Sequence, residues 1–459
     1  MSNLDALLEP GSVAVIGASR DPKSVGYGVL QGLLKGCVLP SKYAKPFPGK
    51  VYAVNPNAKK ILGARCYANV KDVPGAVDLA VICVPAKVVP AVLRECAEKK
   101  VKAIVVVSAG FAETGDAALQ EEIAAIAKRG GMRLLGPNCL GVIRPSKSLN
   151  ASFGLSMPRA GRTAFVTQSG ALADSIVDWA LEEMYAFSAI VSLGNKADID
   201  EADLVEWFAH DGQTKAIALY LEGVKDGRKL MAAVRTAAAR GKTVLVLKGG
   251  RRGEGARAVS SHTGALAGSY AVFESAMRQS GAAVVETLEE LLGLAKAVSE
   301  QPLAAGNSVA IVTNGGGAGV LCADYCEEFG VMLAELKEAT LRKLDATKLM
   351  HPAYSRRNPL DLVGDATAKR YEAALDILLA DDAVKAAIVI QTLQTMTESE
   401  GDARAVLRMR KKHPKKPIVC VFMGGKYSKA AIRLLGENGV PNYDDPRKAA
   451  KACALLVGA

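Results

Sequence analysis

The sequence predicts an α/β protein made of successive open, mainly parallel sheets. Short apolar runs of strand length alternate with longer helical patterns along the whole chain. Half of the 459 residues are hydrophobic and only 5% aromatic, with Ala, Val and Gly dominant, which is the profile of buried parallel strands. The alternation also restarts twice, after a loop-like stretch at 147–161 and after the linker-like Gln301–Asn307. A chain this long accommodates about three domains, and the breaks place them at 1–145, 146–300 and 305–459.

In the first domain, strands are expected at Ser12–Ile16, Val51–Val54, Leu79–Val84, Ala103–Val107 and Arg133–Leu135. The first runs into Gly17-Ala18-Ser19-Arg20-Asp21, and a helix follows beyond Gly26 and Gly28. A strand, a glycine turn and a helix start present backbone N–H groups to a phosphate, so the domain reads as Rossmann-like. It lacks the dinucleotide fingerprint. Ser19 stands where the second glycine belongs, and the second strand ends in Asn55-Pro56, where a nicotinamide site needs an acid for the ribose. CoA, whose ribose carries its own phosphate, would be repelled by such an acid. The alternative is a Rossmann-like domain without a ligand.

The second domain reads as doubly wound and flavodoxin-like, with strands at Thr163–Thr167, Ala189–Ser192, Ala216–Leu221, Thr243–Leu247 and Ala283–Val285. Gln168-Ser169-Gly170 opens a helix with backbone donors and a hydroxyl, an anion site by geometry and helix dipole together. Glu222 ends the strand Ala216–Leu221. A carboxylate beside a histidine accepts the proton of one ring nitrogen and leaves the other free to attack; the alternative is a plain strand-end acid. The glycine-rich basic run Lys248–Arg257 leads to Ser260-Ser261-His262-Thr263-Gly264-Ala265. Read as a loop, it carries His262 on a permissive backbone, able to take up and hand on a group. Read otherwise, His262 sits in the first turn of a helix running to Gln279. His210 is expected at the surface after the helix Glu201–Ala209.

The third domain repeats the plan, with strands at Val309–Thr313, Ala386–Ile390 and Pro417–Phe422. Asn314-Gly315-Gly316-Gly317 forms a second glycine-rich helix start. The alternative reading is a tight turn that packs the helix on its sheet. His351 and His413 show no partner and are expected at the surface.

The net charge of +11 suits polyanionic small ligands. Aromatic residues interleaved with Lys and Arg are scarce, so nucleic acid is not expected. The nine cysteines are scattered without a Cys-x-x-Cys pair, which indicates neither a disulfide framework nor a zinc site and fits a reduced cytoplasm. No signal peptide and no run of eighteen apolar residues is read, so no membrane association is expected.

The segment His262-Thr263-Gly264-Ala265 resembles the phosphohistidine loop of the succinyl-CoA synthetase superfamily, in the form seen in α-subunits of ADP-forming (NDP-forming) acyl-CoA synthetases. The resemblance runs over essentially the whole chain. Gly17-Ala18-Ser19, Lys23, Asn55-Pro56, Val84-Pro85 and Gly136-Pro137-Asn138-Cys139 match the CoA-binding domain in order and spacing. The likeness implies that Lys23 helps hold a CoA phosphate and that Asn138 and Cys139 lie near the pantetheine thiol, although Cys139 reads equally as a buried packing residue. It implies that Glu222 orients the phosphohistidine and that the helix starts at Gln168-Ser169-Gly170 and at Gly315-Gly316-Gly317 cradle its phosphate. Gly194-Asn195-Lys196 resembles the family's loop near the reaction centre. Asn358-Pro359-Leu360-Asp361 and the Gly315 turn resemble a domain carried by the other subunit in succinyl-CoA synthetase.

The implied activity, most simply with acetate, interconverts acyl-CoA, ADP and phosphate with acid, CoA and ATP. No Gly-x-x-x-x-Gly-Lys-Ser/Thr loop and no ATP-grasp pair is read in the sequence. ADP/ATP and Mg2+ are therefore expected on an ATP-grasp β-subunit, in an α2β2 heterotetramer. A CoA-binding regulatory protein of the same fold is the alternative. An NAD-dependent oxidoreductase is opposed by Asn55-Pro56 and the missing glycine.

Overall fold

The computed structural model of the chain describes residues 4–263 and 269–459, without the side chains of residues 259–263. It divides into two compact units, Met1–Leu291 and Leu292–Ala459.

The first unit holds two seven-stranded sheets. Strands β1 (Ser12–Ile16), β2 (Lys50–Val54), β3 (Lys60–Ile61), β4 (Ala64–Tyr67), β5 (Leu79–Ile82), β6 (Ala103–Val106) and β7 (Arg133–Leu135) form one sheet in the order β3-β4-β2-β1-β5-β6-β7. All its pairings are parallel except β3 with β4. β1, β5 and β6 are buried along their whole length, as continuous Val, Ile and Ala runs covered on both faces require.

The second sheet is built from β8 (Gly141–Arg144), β9 (Leu149–Ser152), β10 (Arg159–Thr167), β11 (Ala186–Ser192), β12 (Ala216–Leu221), β13 (Thr243–Lys248) and β14 (Ala283–Val285). Its order is β14-β13-β12-β10-β11-β8-β9, with an antiparallel β8–β9 edge. That edge corrects the loop expected over 147–161. Leu149-Asn-Ala-Ser152 has no strand-like hydrophobic pattern, yet all four residues are buried. The Asn150 amide donates to the Gly36 carbonyl (3.3 Å) and the Ser152 hydroxyl to Asn150 Oδ1 (2.6 Å), so the polar groups are satisfied inside.

The run expected as a loop from Lys248 to Arg257 is also corrected, because it is helical from Gly253 to Thr263. Glu254, Ala256, Arg257 and Ala258 favour helix, and Glu254 lies in the first turn, where the helix dipole stabilises an acid.

In the second unit, β15 (Val309–Thr313), β16 (Leu360–Asp361), β17 (Ala386–Gln391) and β18 (Ile418–Phe422) form a parallel sheet in the order β16-β15-β17-β18. Gln301, expected in a linker, is 1% exposed. Its side chain donates to the Gly439 carbonyl and accepts from the Ile418 N–H, fixing it to this unit. His413 also departs from expectation: half-buried, it lies 3.0 Å from Asp376 Oδ1. His351 Nδ1 accepts from the Ala353 N–H, and His210 is the exposed last residue of its helix.

In each sheet the chain leaves one central strand toward one side and later returns to the other. The reversals fall between β1 and β5, between β10 and β12, and between β15 and β17. Crevices at the carboxyl ends of such strand pairs are where open α/β sheets bind ligands.

Candidate active site

At the β1/β5 reversal the chain is packed backbone to backbone. Gly17 has φ +89°, and a Cβ there would lie 2.8 Å from the Cys83 carbonyl oxygen. Gly26, the second residue of the helix Val25–Lys35, lies so close to the turn that a Cβ would fall 2.0 Å from the Gly17 carbonyl oxygen. The helix N-terminus is thereby pressed against Gly17-Ala18, with Ser24 capping it through the Tyr27 N–H. The Asn55 amide donates to the Ala18 carbonyl (2.7 Å) and its oxygen accepts from the Asn57 N–H (2.8 Å), so Asn55 braces this turn. Pro56, Pro85, Lys23 and Asn138 are exposed around the crevice, and Ser19 and Val84 are partly so. Cys139 is 3% exposed, its thiol aimed at the Val106 carbonyl. Burial pushes that thiol far above its ordinary range, the behaviour of a packing residue. The tight turn beside a helix start and the absence of an acid after β2 suit a phosphate-bearing ligand such as CoA.

At the β10/β12 reversal, Ser169 caps the helix Gly170–Glu182 through the Leu172 N–H, and its own N–H donates to Thr167 Oγ1 (3.0 Å). Gln168 does something the sequence did not reveal. Its side-chain oxygen accepts from the N–H groups of Glu222 (2.7 Å) and Gly223 (3.0 Å), and its amide donates to the Gly223 carbonyl (2.7 Å). Gln168 is therefore a clamp on the residues after β12, with its polar atoms committed there.

Glu222 is 7% exposed, with the Tyr220 hydroxyl 3.5 Å from its carboxylate. Burial, then the carboxylate, raises the Tyr220 phenol above its ordinary range. Lys248 Nζ donates to the Glu222 carbonyl (2.7 Å) and to the Gly249 carbonyl. Lys196 Nζ donates to the Gly223 carbonyl (2.7 Å) and pairs with Glu201 (3.0 Å) in a buried bridge.

The loop carrying Lys196 also joins the two sheets. The Asn195 amide donates to Glu113 Oε2 and to Gln120 Oε1, and its oxygen lies 3.4 Å from the Asn138 amide. Burial alone would raise the Glu113 carboxyl. The Gly110 and Phe111 N–H groups and the Asn195 amide outweigh it and hold the carboxyl below the usual range. Asn138, from the first crevice, and Gly223, next to Glu222 in the second, are thus connected through adjacent residues of one loop. Glu113 carried no signal in the sequence.

The second unit repeats the second crevice in miniature. The Gly315 N–H donates to Thr313 Oγ1 (3.0 Å), as Ser169 does to Thr167, at the start of the helix Gly316–Glu328. Asn314 clamps the residue after β17, accepting from the Thr392 N–H (2.7 Å) and donating to the Thr392 carbonyl (2.9 Å). Gly316 and Gly317 form the first turn of that helix, with the Asp361 carboxylate beside Gly316.

The side chain of His262 and residues 264–268 of its motif lie outside the described residues. Among the described residues, no group of three or more His, Cys, Asp or Glu side chains is arranged to hold a metal ion, and no helix is long and apolar enough to cross a membrane.

Three family models match in succession: a CoA binding domain over residues 11–145, a succinyl-CoA ligase like flavodoxin domain over 160–298 and a Ligase-CoA domain over 309–458. The chain is 41% identical over 459 residues to the acetate–CoA ligase [ADP-forming] II subunit alpha of Pyrococcus furiosus, covering 99% of this chain and 97% of the relative. It is 42% identical to the acetate–CoA ligase [ADP-forming] I of Archaeoglobus fulgidus, spanning 99% of this chain but 63% of that longer protein. A solved structure of the dinucleotide forming acetyl-coenzyme A synthetase 1 of Ca. Korarchaeum cryptofilum, in complex with phosphate and ADP, superimposes with a TM-score of 0.93. It is 36% identical, covering 99% of this chain and 96% of that one. With clamped strand ends at its sheet reversals and relatives of this closeness over its full length, the chain belongs to the family of ADP-forming acyl-CoA synthetase α-subunits, within the succinyl-CoA synthetase superfamily.

Proposed function

We propose that this chain is the catalytic α-subunit of an ADP-forming acid–CoA ligase, with acetate as the simplest acid. The observation that carries the reading is the meeting, at the β10/β12 reversal, of a capped helix start with the clamped, buried Glu222. The helix end supplies oriented N–H groups for a phosphoryl group. The carboxylate is suited to hold one nitrogen of an imidazole as N–H, leaving the other as a nucleophile. Family membership and the retention of His262 and Glu222 together favour catalysis over a regulatory CoA-binding role.

In the proposed sequence, an oxygen of orthophosphate attacks the thioester carbonyl of acyl-CoA bound in the first crevice. The C–S bond breaks, and CoA leaves as the thiol, taking up a proton. A ring nitrogen of His262 then attacks the phosphorus of the acyl phosphate. The bond to the acyl oxygen breaks, the carboxylate is released, and Glu222 holds the second ring nitrogen. Transfer to ADP completes ATP synthesis. ADP and Mg2+ would be held by an ATP-grasp β-subunit in an α2β2 assembly in the cytoplasm. Gly315-Gly316-Gly317, at the start of the helix Gly316–Glu328, would offer backbone N–H groups to a phosphate.

The test is incubation with acetyl-CoA and labelled orthophosphate. An acid-labile, base-stable label on His262, discharged to ATP once the partner and ADP are added, is expected. Label that survives in His262→Asn rejects the reading.

A further inference from the structure

The mount of Glu222 is unusual in its completeness. The Glu222 and Gly223 N–H groups go to Gln168 Oε1, the Gly223 carbonyl receives Gln168 and Lys196, and the Glu222 carbonyl receives Lys248. Every backbone polar atom of the dipeptide is held by a side chain. Lys248, the last residue of β13, is 5% exposed. Placing an ammonium there costs several kcal/mol of desolvation unless oriented dipoles and a counter-charge compensate. Two carbonyls and the nearby Glu222 carboxylate supply that compensation. Burial holds the Lys248 ammonium below the ordinary lysine range, Glu222 opposes the shift and Lys196 adds to it.

The second unit provides an internal control. Thr167 pairs with Tyr220 and Thr313 with Ile390, so Glu222 and Thr392 occupy equivalent positions after their strands. Leu221 pairs with Lys248 and Gln391 with Phe422, so Lys248 and Phe422 are equivalent too. Where the carboxylate is replaced by Thr392, the lysine is replaced by Phe422. The same turn and the same amide clamp form there without it. The ammonium is therefore not needed to build a strand-end clamp of this type; it accompanies the carboxylate.

We propose that Lys248 is a positioning residue, whose ammonium, bridging the Glu222 and Gly249 carbonyls, fixes the Glu222 carboxylate relative to the start of the segment that carries His262. The inference rests on the functional reading above. Among the described residues, titratable groups close to Glu222 include Tyr220 from β12 and Lys248 from β13, while Lys196, paired to Glu201, reaches the neighbouring Gly223 carbonyl.

The experiment is the rate of His262 labelling from acetyl-CoA and labelled orthophosphate in the full chain, with CoA affinity as the control for folding. Lys248→Met should slow labelling by about 10²-fold, the scale of a catalytic group misplaced by roughly an ångström. Lys248→Arg, which keeps charge and donors, should restore most of the rate. In a Glu222→Gln background, Lys248→Met should add little further loss, since both act through one group. Wild-type labelling in Lys248→Met overturns the proposal. So does a loss that adds in full to that of Glu222→Gln, or one that Lys248→Arg shares. If Lys248→Met fails the CoA control, the Lys248→Arg labelling rate decides, and a loss of about 10²-fold there overturns the proposal. Wild-type labelling in Glu222→Gln overturns the reading of the site itself, and the role of Lys248 with it.

Discussion

Two glycines of one helix, two residues apart, should respond to alanine with opposite signs. At Gly26 the added Cβ would lie 2.0 Å from the Gly17 carbonyl oxygen, 2.9 Å from the Gly17 carbonyl carbon and 3.3 Å from the Ala18 Cα. All three are backbone atoms, and real Cβ atoms essentially never come within 3.0 Å of another heavy atom. Helix and turn must separate by about 1 Å, at an overpacking cost of about 1–3 kcal/mol. The turn that moves is the one proposed to meet the CoA phosphates, so Gly26→Ala should weaken CoA binding by about 10- to 100-fold and lower the melting temperature. At Gly28 the nearest atoms to an added Cβ are side-chain carbons of Phe153 at 3.8 Å and Val38 at 3.9 Å, an ordinary contact. There alanine only reduces the freedom of the unfolded chain, and Gly28→Ala should stabilise by about 0.4–1 kcal/mol with CoA affinity unchanged. Titration calorimetry with CoA and thermal melts of both variants decide the matter. Wild-type CoA affinity in Gly26→Ala, or equal losses in the two variants, would refute the steric argument.

Other perturbations should separate the chemical roles. His262→Asn should abolish acid-labile labelling while CoA affinity, measured by calorimetry, stays at the wild-type level. Glu222→Gln should slow labelling by about 10²–10⁴-fold, the range for a lost proton partner, as read in a single-turnover assay. Asp402, 1% exposed and bonded to Gln391, has its carboxyl pushed up from 3.8 to about 7, chiefly by burial, with Glu398 adding to the effect. Its folded form holds the proton more tightly than the unfolded one, so its contribution is intact below about pH 4 and lost as pH rises through about 7. Melts of wild type and Asp402→Asn should therefore coincide near pH 4 and diverge toward neutrality, with the variant the more stable. A pH-independent difference would mean that the carboxyl does not titrate there.

The central strands and helix starts were legible because their rules are local. A run such as Ser12–Ile16 followed by Gly17, or Val309–Thr313 followed by Asn314-Gly315, carries its own hydrophobicity and its own turn. Sequence order alone placed Gln168 and Glu222 after strands, and resemblance linked both to His262. The strand Leu149–Ser152 was hidden because its buried polar groups are paid for by Gly36, far away in the chain. The loop expected from the glycines at 249–255 gave way to a helix from Gly253, since neighbouring Ala, Glu and Arg outweigh one or two glycines.

What the tertiary structure alone decided is how the site is held. The sequence by itself determined an α/β chain with glycine turns after its strands, because strand and turn propensities are written in consecutive residues. It could not show that Gln168 spends its amide on Glu222 and Gly223, that Lys248 and Lys196 complete that mount, or that Asn195 joins Glu113 to Asn138. The contacts on Glu222 and Gly223 join residues brought side by side by the strand order β13-β12-β10-β11, and those of Asn195 depend on the packing of that sheet's loop against the residues after β6 and β7. A side-chain hydrogen bond depends on distances of about 3 Å between groups tens of residues apart, and only the register of the assembled sheet sets those distances.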